Sequence, residues 1–184
     1  MPRPLAALCV LPLALLTACQ TPRHPPGTAQ RVPAAPEVSK ATMDTLASLA
    51  GEWELVSADG TTGPGAVFSV TAGGTALREI MFPGHGHEMT NLYHMDGSRV
   101  VCTHYCAAGN QPRMVASALT QTGEGPTLDF AFDSVSNYTD AQDHYMGALK
   151  LVIESENSIR QEWTSLDADG KPAGTVVFNL KRKS

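Results

Sequence analysis

Charge is scarce in this chain, and positive charge is not clustered. Charged residues make up 17% of its 184 residues, the net charge is −5, and the only basic run is Lys181-Arg182-Lys183. Binding to nucleic acid needs a positive surface, so we expect no nucleic-acid partner. Glycine (16 residues) and proline (13) are plentiful, and 42% of the residues are hydrophobic. This composition predicts short strands joined by turns rather than long solvated helices or a disordered chain.

The sequence also lacks the common catalytic motifs. It contains no nucleophile elbow, no phosphate-binding loop, no HExxH pair and no paired CxxC motif. Such motifs place a nucleophile, a phosphate cradle or metal ligands at a fixed spacing. Without one, the residue pattern identifies no catalytic residue and no cofactor, so we favour a role that is not enzymatic.

The N-terminus predicts an export signal. Arg3 is followed by an apolar stretch from Leu5 to Leu16, which is too short to span a bilayer. The stretch ends in Leu16-Thr17-Ala18-Cys19, which resembles the bacterial lipobox, where the signal is cleaved before a cysteine that is then acylated. Gln20 stands where resembling inner-membrane lipoproteins have Asp. The resemblance therefore implies a lipoprotein of the bacterial outer membrane, facing the periplasm and anchored through lipid on Cys19.

Composition divides the chain into three segments. Residues 1–18 are the predicted signal peptide, and residues 19–38 are the predicted lipidated cysteine and tether. The tether carries five prolines and almost no large apolar side chains, which is typical of an extended linker. Residues 39–184 are the predicted folded domain. It opens with a short helix that has Ser39 as its N-cap and ends at Gly51.

Strand patterns recur about every ten residues in the rest of the domain. Leu128, Phe130 and Phe132 alternate with polar or small residues, which is typical of a half-buried strand. About ten such strands without crossover helices predict an all-β fold, a closed antiparallel barrel. The other predicted strands lie at 52–58, 66–72, 75–82, 87–95, 98–106, 112–120, 149–154, 159–163 and 176–180.

One strand pair can be aligned by its apolar face. A three-residue loop over 155–157 pairs Ile153 with Ile159, whereas a two-residue turn at 156–157 would pair Ile153 with Arg160. Because strand register follows the apolar face, we predict the pairing that results from the three-residue loop.

A motif at the start of the first strand carries a family resemblance. Gly51-Glu52-Trp53 resembles the Gly-x-Trp signature of the lipocalin-like (calycin) barrels. The resemblance implies that a basic residue near the end of the last strand, Lys181 or Arg182, packs over Trp53 as a cation–π pair. A longer pattern looks like a bacterial family of lipocalin-like domains of uncharacterised function, and it implies a lipocalin-like barrel without an established activity. This pattern comprises Leu46 to Trp53, Thr103 to Cys106, Gly109 to Met114 and Ile159 to Trp163.

Histidines and cysteines gather on one predicted hairpin. A two-residue turn at Asp96-Gly97 would place Asn91 opposite Cys102 and Met89 opposite His104. Alternate residues of a strand share a face, so one face of the hairpin would collect several polar side chains. These are His87, Asn91, Cys102, His104 and Cys106.

The two cysteines of this hairpin are not expected to form a disulfide. Four residues along a straight strand span about 13 Å, and a disulfide needs Cα atoms within about 7 Å. We therefore expect Cys102 and Cys106 to be reduced and buried.

The polar face of the hairpin allows three functions. In the favoured hypothesis, the barrel of an envelope lipoprotein binds a small, mostly apolar molecule. In the second, His87, His104 and Cys106 bind a metal, as in a metal-binding protein or metal-dependent enzyme. In the third, the protein is a structural envelope module with a filled core, and the polar groups are hydrogen-bonded wall residues. The candidate ligand-binding residues are His87, Asn91, Cys102, His104, Cys106 and Arg113. For Arg113 we favour the alternative that it pairs with an acidic strand residue.

Overall fold

The described residues form one antiparallel sheet and one α-helix. The computed structural model describes residues 32–139 and 144–183. The helix, α1, spans Pro36–Ala47. The strands are β1 Gly51–Val56, β2 Thr62–Thr71, β3 Ala76–Met81, β4 Met89–Asp96, β5 Arg99–Tyr105, β6 Gln111–Ala116, β7 Thr120–Thr122, β8 Gly125–Ser136, β9 His144–Ser155, β10 Ser158–Asp167 and β11 Pro172–Arg182.

The sheet closes on itself. Its strand order is β6-β5-β4-β3-β2-β1-β11-β10-β9-β8-β7, and β6 also pairs with β8. That last pairing, which places Val115 opposite Ala131, closes ten strands into a barrel. Strand β7 is a short addition along the start of β8. The predicted all-β, antiparallel barrel of about ten strands with one short N-terminal helix is confirmed.

The barrel has two different ends. One end, which we call the base, carries α1 and the turn at Gly97-Ser98. The other end, which we call the mouth, carries five connections between successive strands. These are residues 57–61, 82–88, 106–110, 137–143 and 168–171, of which 140–143 lie outside the described residues.

Helix α1 begins three residues before its predicted start. Pro36 is the first helical residue, and Ser39 lies inside the helix instead of capping it. The fixed φ of proline suits the first position of a helix, and the carboxylate of Glu37 interacts favourably with the helix N-terminus. The Ser39 hydroxyl instead donates a hydrogen bond to the carbonyl oxygen of Gly97 at 3.3 Å. The last three residues of the predicted tether thus belong to the helix.

Trp53 joins the helix to the barrel base. Its indole Nε1 donates to the carbonyl oxygen of Leu49 at 2.8 Å, and both side chains are buried. The guanidinium of Arg182 lies 4.3 Å from the centre of the Trp53 ring. The same guanidinium donates to the carbonyl oxygens of Ser48 and Ala50, each at 2.8 Å. The expected cation–π pair over Trp53 is confirmed, and Arg182 provides the cation.

The predicted register of β9 and β10 is confirmed. Ile153 lies opposite Ile159. The predicted three-residue loop over 155–157 is wrong, because Ser155 already pairs with Ser158 across a two-residue turn at 156–157. A bulge between Ser158 and Ile159 then shifts the register by one residue. The bulge keeps the apolar side chains on the inner face although the turn is short.

The predicted register of β4 and β5 is wrong by two residues. The turn consists of Gly97 and Ser98 rather than Asp96 and Gly97. Gly97 has a φ of 65°, which is typical of the first central residue of a type II′ turn. Asn91 therefore lies opposite His104. Because a shift of two leaves every side chain on its original face, the predicted inner and outer faces of the hairpin are retained.

The predicted export signal and anchor lie outside the described residues. They comprise residues 1–18 and Cys19. Within residues 32–139 and 144–183, no helix has the length and hydrophobicity needed to cross a membrane.

Candidate functional site

Four polar side chains point into the barrel from strand faces that are otherwise apolar. Glu79, for example, lies between the buried Leu77 and Met81 on the inner face of β3. All four are at most 2% exposed. They are Glu79, Asn91, His104 and Gln161, and together with Tyr93 and Trp163 we call them the polar layer.

The carboxylate of Glu79 is the centre of the polar layer. Its Oε2 accepts hydrogen bonds from Asn91 Nδ2 at 2.7 Å and from the Tyr93 hydroxyl at 2.6 Å. Its Oε1 accepts from Gln161 Nε2 at 2.7 Å, and Gln161 Oε1 accepts from Trp163 Nε1 at 3.1 Å. Burial raises the pKa of Glu79, while the three hydrogen bonds act in the opposite direction. These bonds connect β3, β4 and β10 through the barrel interior.

His104 has one partnered and one unpartnered ring nitrogen. Its Nδ1 lies 2.7 Å from Asn91 Oδ1. Burial lowers the pKa of His104 to about 4, so the ring is neutral at neutral pH. Nε2 is buried, and no hydrogen-bonding group of the described residues lies within reach of it. A buried acceptor without a partner costs roughly 1–3 kcal/mol.

The His104 ring also contacts the opposite wall of the barrel. Its centre lies 5.0 Å from that of the Trp163 ring, and the two planes are inclined by 47°. His104 belongs to β5 and Trp163 to β10, which are not neighbours in the sheet. The polar layer therefore crosses the barrel from wall to wall.

The two hairpin cysteines lie in different environments. Cys102 is fully buried, whereas Cys106 is half-buried because β5 ends at Tyr105. Both thiols are free. Burial and the nearby charge of Glu79 raise the pKa of Cys102 well above its usual range, while its hydrogen bond with Tyr93 acts in the opposite direction. The Cys102 thiol therefore stays protonated, which makes it a poor nucleophile or metal ligand.

Three of the six predicted ligand-binding residues lie inside the barrel and three do not. Asn91, Cys102 and His104 are buried there. His87 is exposed in the connection 82–88, and Cys106 lies in the turn that follows β5. The sixth residue, Arg113, is on the outer face.

Arg113 forms ion pairs on the outside of the barrel. It contacts Asp133, whose pKa its hydrogen bond lowers, and its Nη2 lies 3.5 Å from Asp96. Its strand neighbour Met114 is fully buried, so Arg113 faces outward. The pairing of Arg113 with an acidic strand residue is therefore confirmed, and its role at a ligand stays a prediction.

The predicted metal ligands are not brought together. His104 lies in the polar layer, while His87 and Cys106 lie in two different mouth connections. Strand β4 begins only at Met89 and β5 ends at Tyr105, so His87 and Cys106 both lie outside the strands. Among the residues that the structure describes, no group of three or more His, Cys, Asp or Glu is arranged to hold a metal ion. The prediction of a metal site at His87, His104 and Cys106 is therefore wrong.

Two apolar side chains near the mouth face inward and are nevertheless exposed. Phe132 lies opposite Met114, and Val176 lies opposite Trp163. Met114 and Trp163 are buried in the core, and directly opposite residues share a face, so Phe132 and Val176 also point inward. Their exposed fractions are 39% and 41%. We call the inward-facing apolar surface that these two side chains leave exposed at the mouth the mouth hollow.

Three strands extend beyond their neighbours at the mouth. Pairing between β11 and β1 reaches only Asn179, so within the described residues 172–178 pair with β10 alone. On the other side, residues 144–147 of β9 pair with β10 and not with the described residues of β8. In this extended part, β11 on one side and β9 on the other pair with β10 but with no second strand of the described residues. The sheet is therefore not closed there.

Aromatic rings line the rim of the mouth. Phe82 contacts Phe178, with ring centres 5.4 Å apart, and Phe132 contacts Tyr145 at 5.0 Å. Tyr145 also contacts Tyr138 at 5.3 Å. Phe82 has a φ of 53°, a conformation that bulky residues rarely adopt and that concentrates at functional sites. The rim therefore contains several aromatic rings and one strained residue.

Four of the six residues of the polar layer are not predicted from the sequence. Glu79, Tyr93, Gln161 and Trp163 were not among the candidate residues. A signal for two of them is present, because Glu79 and Gln161 occupy inward positions between apolar neighbours. A polar residue at such a position predicts a buried hydrogen-bond network.

Comparisons with known protein families and with curated proteins give no match for this chain. The geometry of the barrel is therefore the basis for proposing a function.

Proposed function

We propose that this protein is a binding module that holds a small, mostly apolar molecule in the mouth hollow. The observation that carries the proposal is the exposure of Phe132 and Val176, which face the barrel interior. Apolar surface in a concave site releases water when an apolar ligand covers it, and this release favours binding. Ligand sites are typically concave and apolar with a few polar groups that orient the ligand. The aromatic rim and the polar layer supply these two components.

A matched pair of variants tests this site. Val176 faces inward and is 41% exposed, whereas the adjacent Val177 lies opposite Glu162, faces outward and is 48% exposed. Both tolerate a polar side chain to a similar degree because both are already partly solvated. We expect Val176→Asn to weaken binding of the apolar dye Nile red about tenfold, since the change places an amide in the apolar site. Val177→Asn should bind the dye like the wild type.

The measurement is the increase of Nile red fluorescence on residues 19–184 carrying Cys19→Ser, purified without detergent. Urea unfolding of both variants checks that the fold is retained. A structural module with a filled core predicts no binding of the dye by the wild type. Equal weakening in the two variants would place the dye outside the mouth hollow. Either result overturns the proposal.

We further propose that the barrel is held at the bacterial outer membrane, facing the periplasm, by lipid on Cys19. The lipobox-like Leu16 to Cys19 and the residue Gln20 support this proposal. Several acyl chains on one cysteine hold a protein firmly, since each buried methylene contributes about 0.8 kcal/mol. The full chain should incorporate labelled palmitate in a bacterial host and lose the label in Cys19→Ala. Label that persists in Cys19→Ala would exclude this anchor.

A further inference from the structure

We infer that the ligand is a neutral apolar molecule whose polar head donates a hydrogen bond, such as a long-chain alcohol, and that His104 Nε2 accepts this bond. The inference rests on the proposed function, because it names the chemical class that the mouth hollow takes.

The hydrogen-bond network fixes which nitrogen of His104 carries hydrogen. The oxygens of Glu79 accept, so Asn91 presents its Nδ2 to Glu79 and its Oδ1 to His104. An amide oxygen only accepts, so His104 Nδ1 must donate. In a neutral imidazole the second nitrogen then carries a lone pair and no hydrogen. Nε2 is therefore an acceptor, and the Glu79–Asn91 pair holds it in that state.

An acceptor at this position selects the head group of the ligand. A hydroxyl group satisfies Nε2, whereas an ether or an alkane leaves it buried without a partner. A carboxylate presents only acceptor oxygens to Nε2 and would add a negative charge near Glu79 in a site of low dielectric constant. The site therefore discriminates against the fatty acid that corresponds to a bound alcohol.

The position of His104 connects the polar layer to the mouth hollow. It is the last residue but one of β5, at the mouth end of the strand. Its ring contacts Trp163, which lies directly opposite Val176 of the mouth hollow. Because His104 is 2% exposed, a head group reaches Nε2 only when side chains at the mouth move apart.

Three ligands of equal chain length test the inference by displacement of Nile red, which has no hydrogen-bond donor. We expect n-decanol to displace the dye at a concentration about tenfold lower than n-decyl methyl ether, the magnitude of one net hydrogen bond. Decanoate, measured above neutral pH, should need a concentration at least about tenfold higher than n-decanol to displace the dye.

A pair of histidine variants assigns the preference to His104. In His104→Phe the difference between n-decanol and its methyl ether should disappear, because phenylalanine has no acceptor. The matched control is His94→Phe, whose histidine is exposed on the outer face of the neighbouring strand and which should keep the difference.

The nitrogen NMR signal of His104 in isotope-labelled wild-type protein gives a readout that needs no variant. The Nε2 signal should move upfield when n-decanol binds and stay in place with the methyl ether, as expected for a bare nitrogen that gains a hydrogen bond. Equal displacement by alcohol and ether with an unmoved Nε2 signal would overturn the inference and leave the binding module intact. Absence of Nile red binding would overturn both.

Discussion

His104 combines a buried ring, a fixed tautomer and an unpartnered nitrogen, and it governs the chemistry of the polar layer. Its ring cannot take up a proton without losing solvation that the barrel interior does not replace. Burial also disfavours the charged form of Glu79, but a carboxyl group becomes charged as the pH rises and not as it falls. The two residues therefore affect stability in opposite directions as the pH changes.

The pKa of His104 predicts a loss of stability in acid. It is lowered from 6.5 to about 4 in the folded state, so the unfolded chain binds a proton first as the pH falls. The free energy of unfolding should therefore decrease between pH 6.5 and pH 4. One pKa unit corresponds to about 1.4 kcal/mol, so the total is about 3 kcal/mol.

The measurement is urea unfolding of the wild type and of His104→Phe across this pH range. Glu79 titrates in both proteins, so the difference between the two free energies isolates His104. We expect the free energy of unfolding of the wild type to fall relative to that of His104→Phe as the pH decreases. A difference that stays constant with pH would show that His104 keeps an ordinary pKa.

Among the structural elements, α1 depends on one residue at the far end of the chain. Arg182 covers Trp53 and donates to three backbone carbonyl oxygens, those of Ser48, Ala50 and Glu156. Two of these carbonyls lie in the connection between α1 and β1. The guanidinium of Arg182 thus fixes the connection between helix and barrel, in addition to the buried Leu46 and Leu49 and the hydrogen bond from Trp53 to Leu49.

We expect Arg182→Ala to lower the free energy of unfolding by about 2 kcal/mol, since it removes the cation–π contact and several hydrogen bonds. Arg182→Lys should recover only part of the loss, because an ammonium cannot reach all three carbonyls in the planar geometry of a guanidinium. The matched control is Lys183→Ala, whose ammonium lies 3.4 Å from Glu52 on the surface and contributes little. Equal losses in Arg182→Ala and Lys183→Ala would contradict this role.

Apolar patterns predict strand register only where the two faces of a strand differ clearly. Ile153 and Ile159 were paired correctly because the competing register places Arg160 on the inner face. The hairpin of β4 and β5 carries polar residues on both faces, so its register was set by the choice of turn alone. Gly97 is the first residue of that turn, whereas the prediction made it the second. Each residue of β4 therefore lies opposite a β5 residue two positions later than predicted. The faces were still correct, since side chains alternate with a period of two.

The polar layer could not be assembled from the sequence, because its contacts cross the barrel. Glu79 and Gln161 are 82 positions apart and their strands are not adjacent in the sheet. Alternation predicts that each points inward, but the distance between them depends on how the whole barrel closes. His87 and Cys106 were assigned wrongly for a different reason. They lie at strand ends, where the pattern does not show which residue is the last to pair.

At the scale of the whole molecule, the two ends of the barrel differ in how far the described inward-facing side chains are buried. Leu49 and Trp53 are at most 1% exposed at the base, whereas Phe132 and Val176 at the mouth are about two-fifths exposed although they face inward. The polar layer separates these two regions. This asymmetry is the reason for proposing a binding module rather than a uniformly filled structural barrel, since the inward-facing apolar side chains of the base are buried and two of those at the mouth are exposed.

The chain contains two tryptophans, which report on the two regions separately. Trp53 lies at the base beneath Arg182, and Trp163 lies in the polar layer opposite Val176. The most direct test of the account is quenching of tryptophan fluorescence by bromodecane, compared with n-decane, because bromine quenches an indole ring only at close range. We predict that bromodecane quenches the wild type and that Trp163→Phe, in which Trp53 is the remaining emitter, is not quenched. Quenching that persists in Trp163→Phe, or its absence in the wild type, would contradict a ligand site in the mouth hollow.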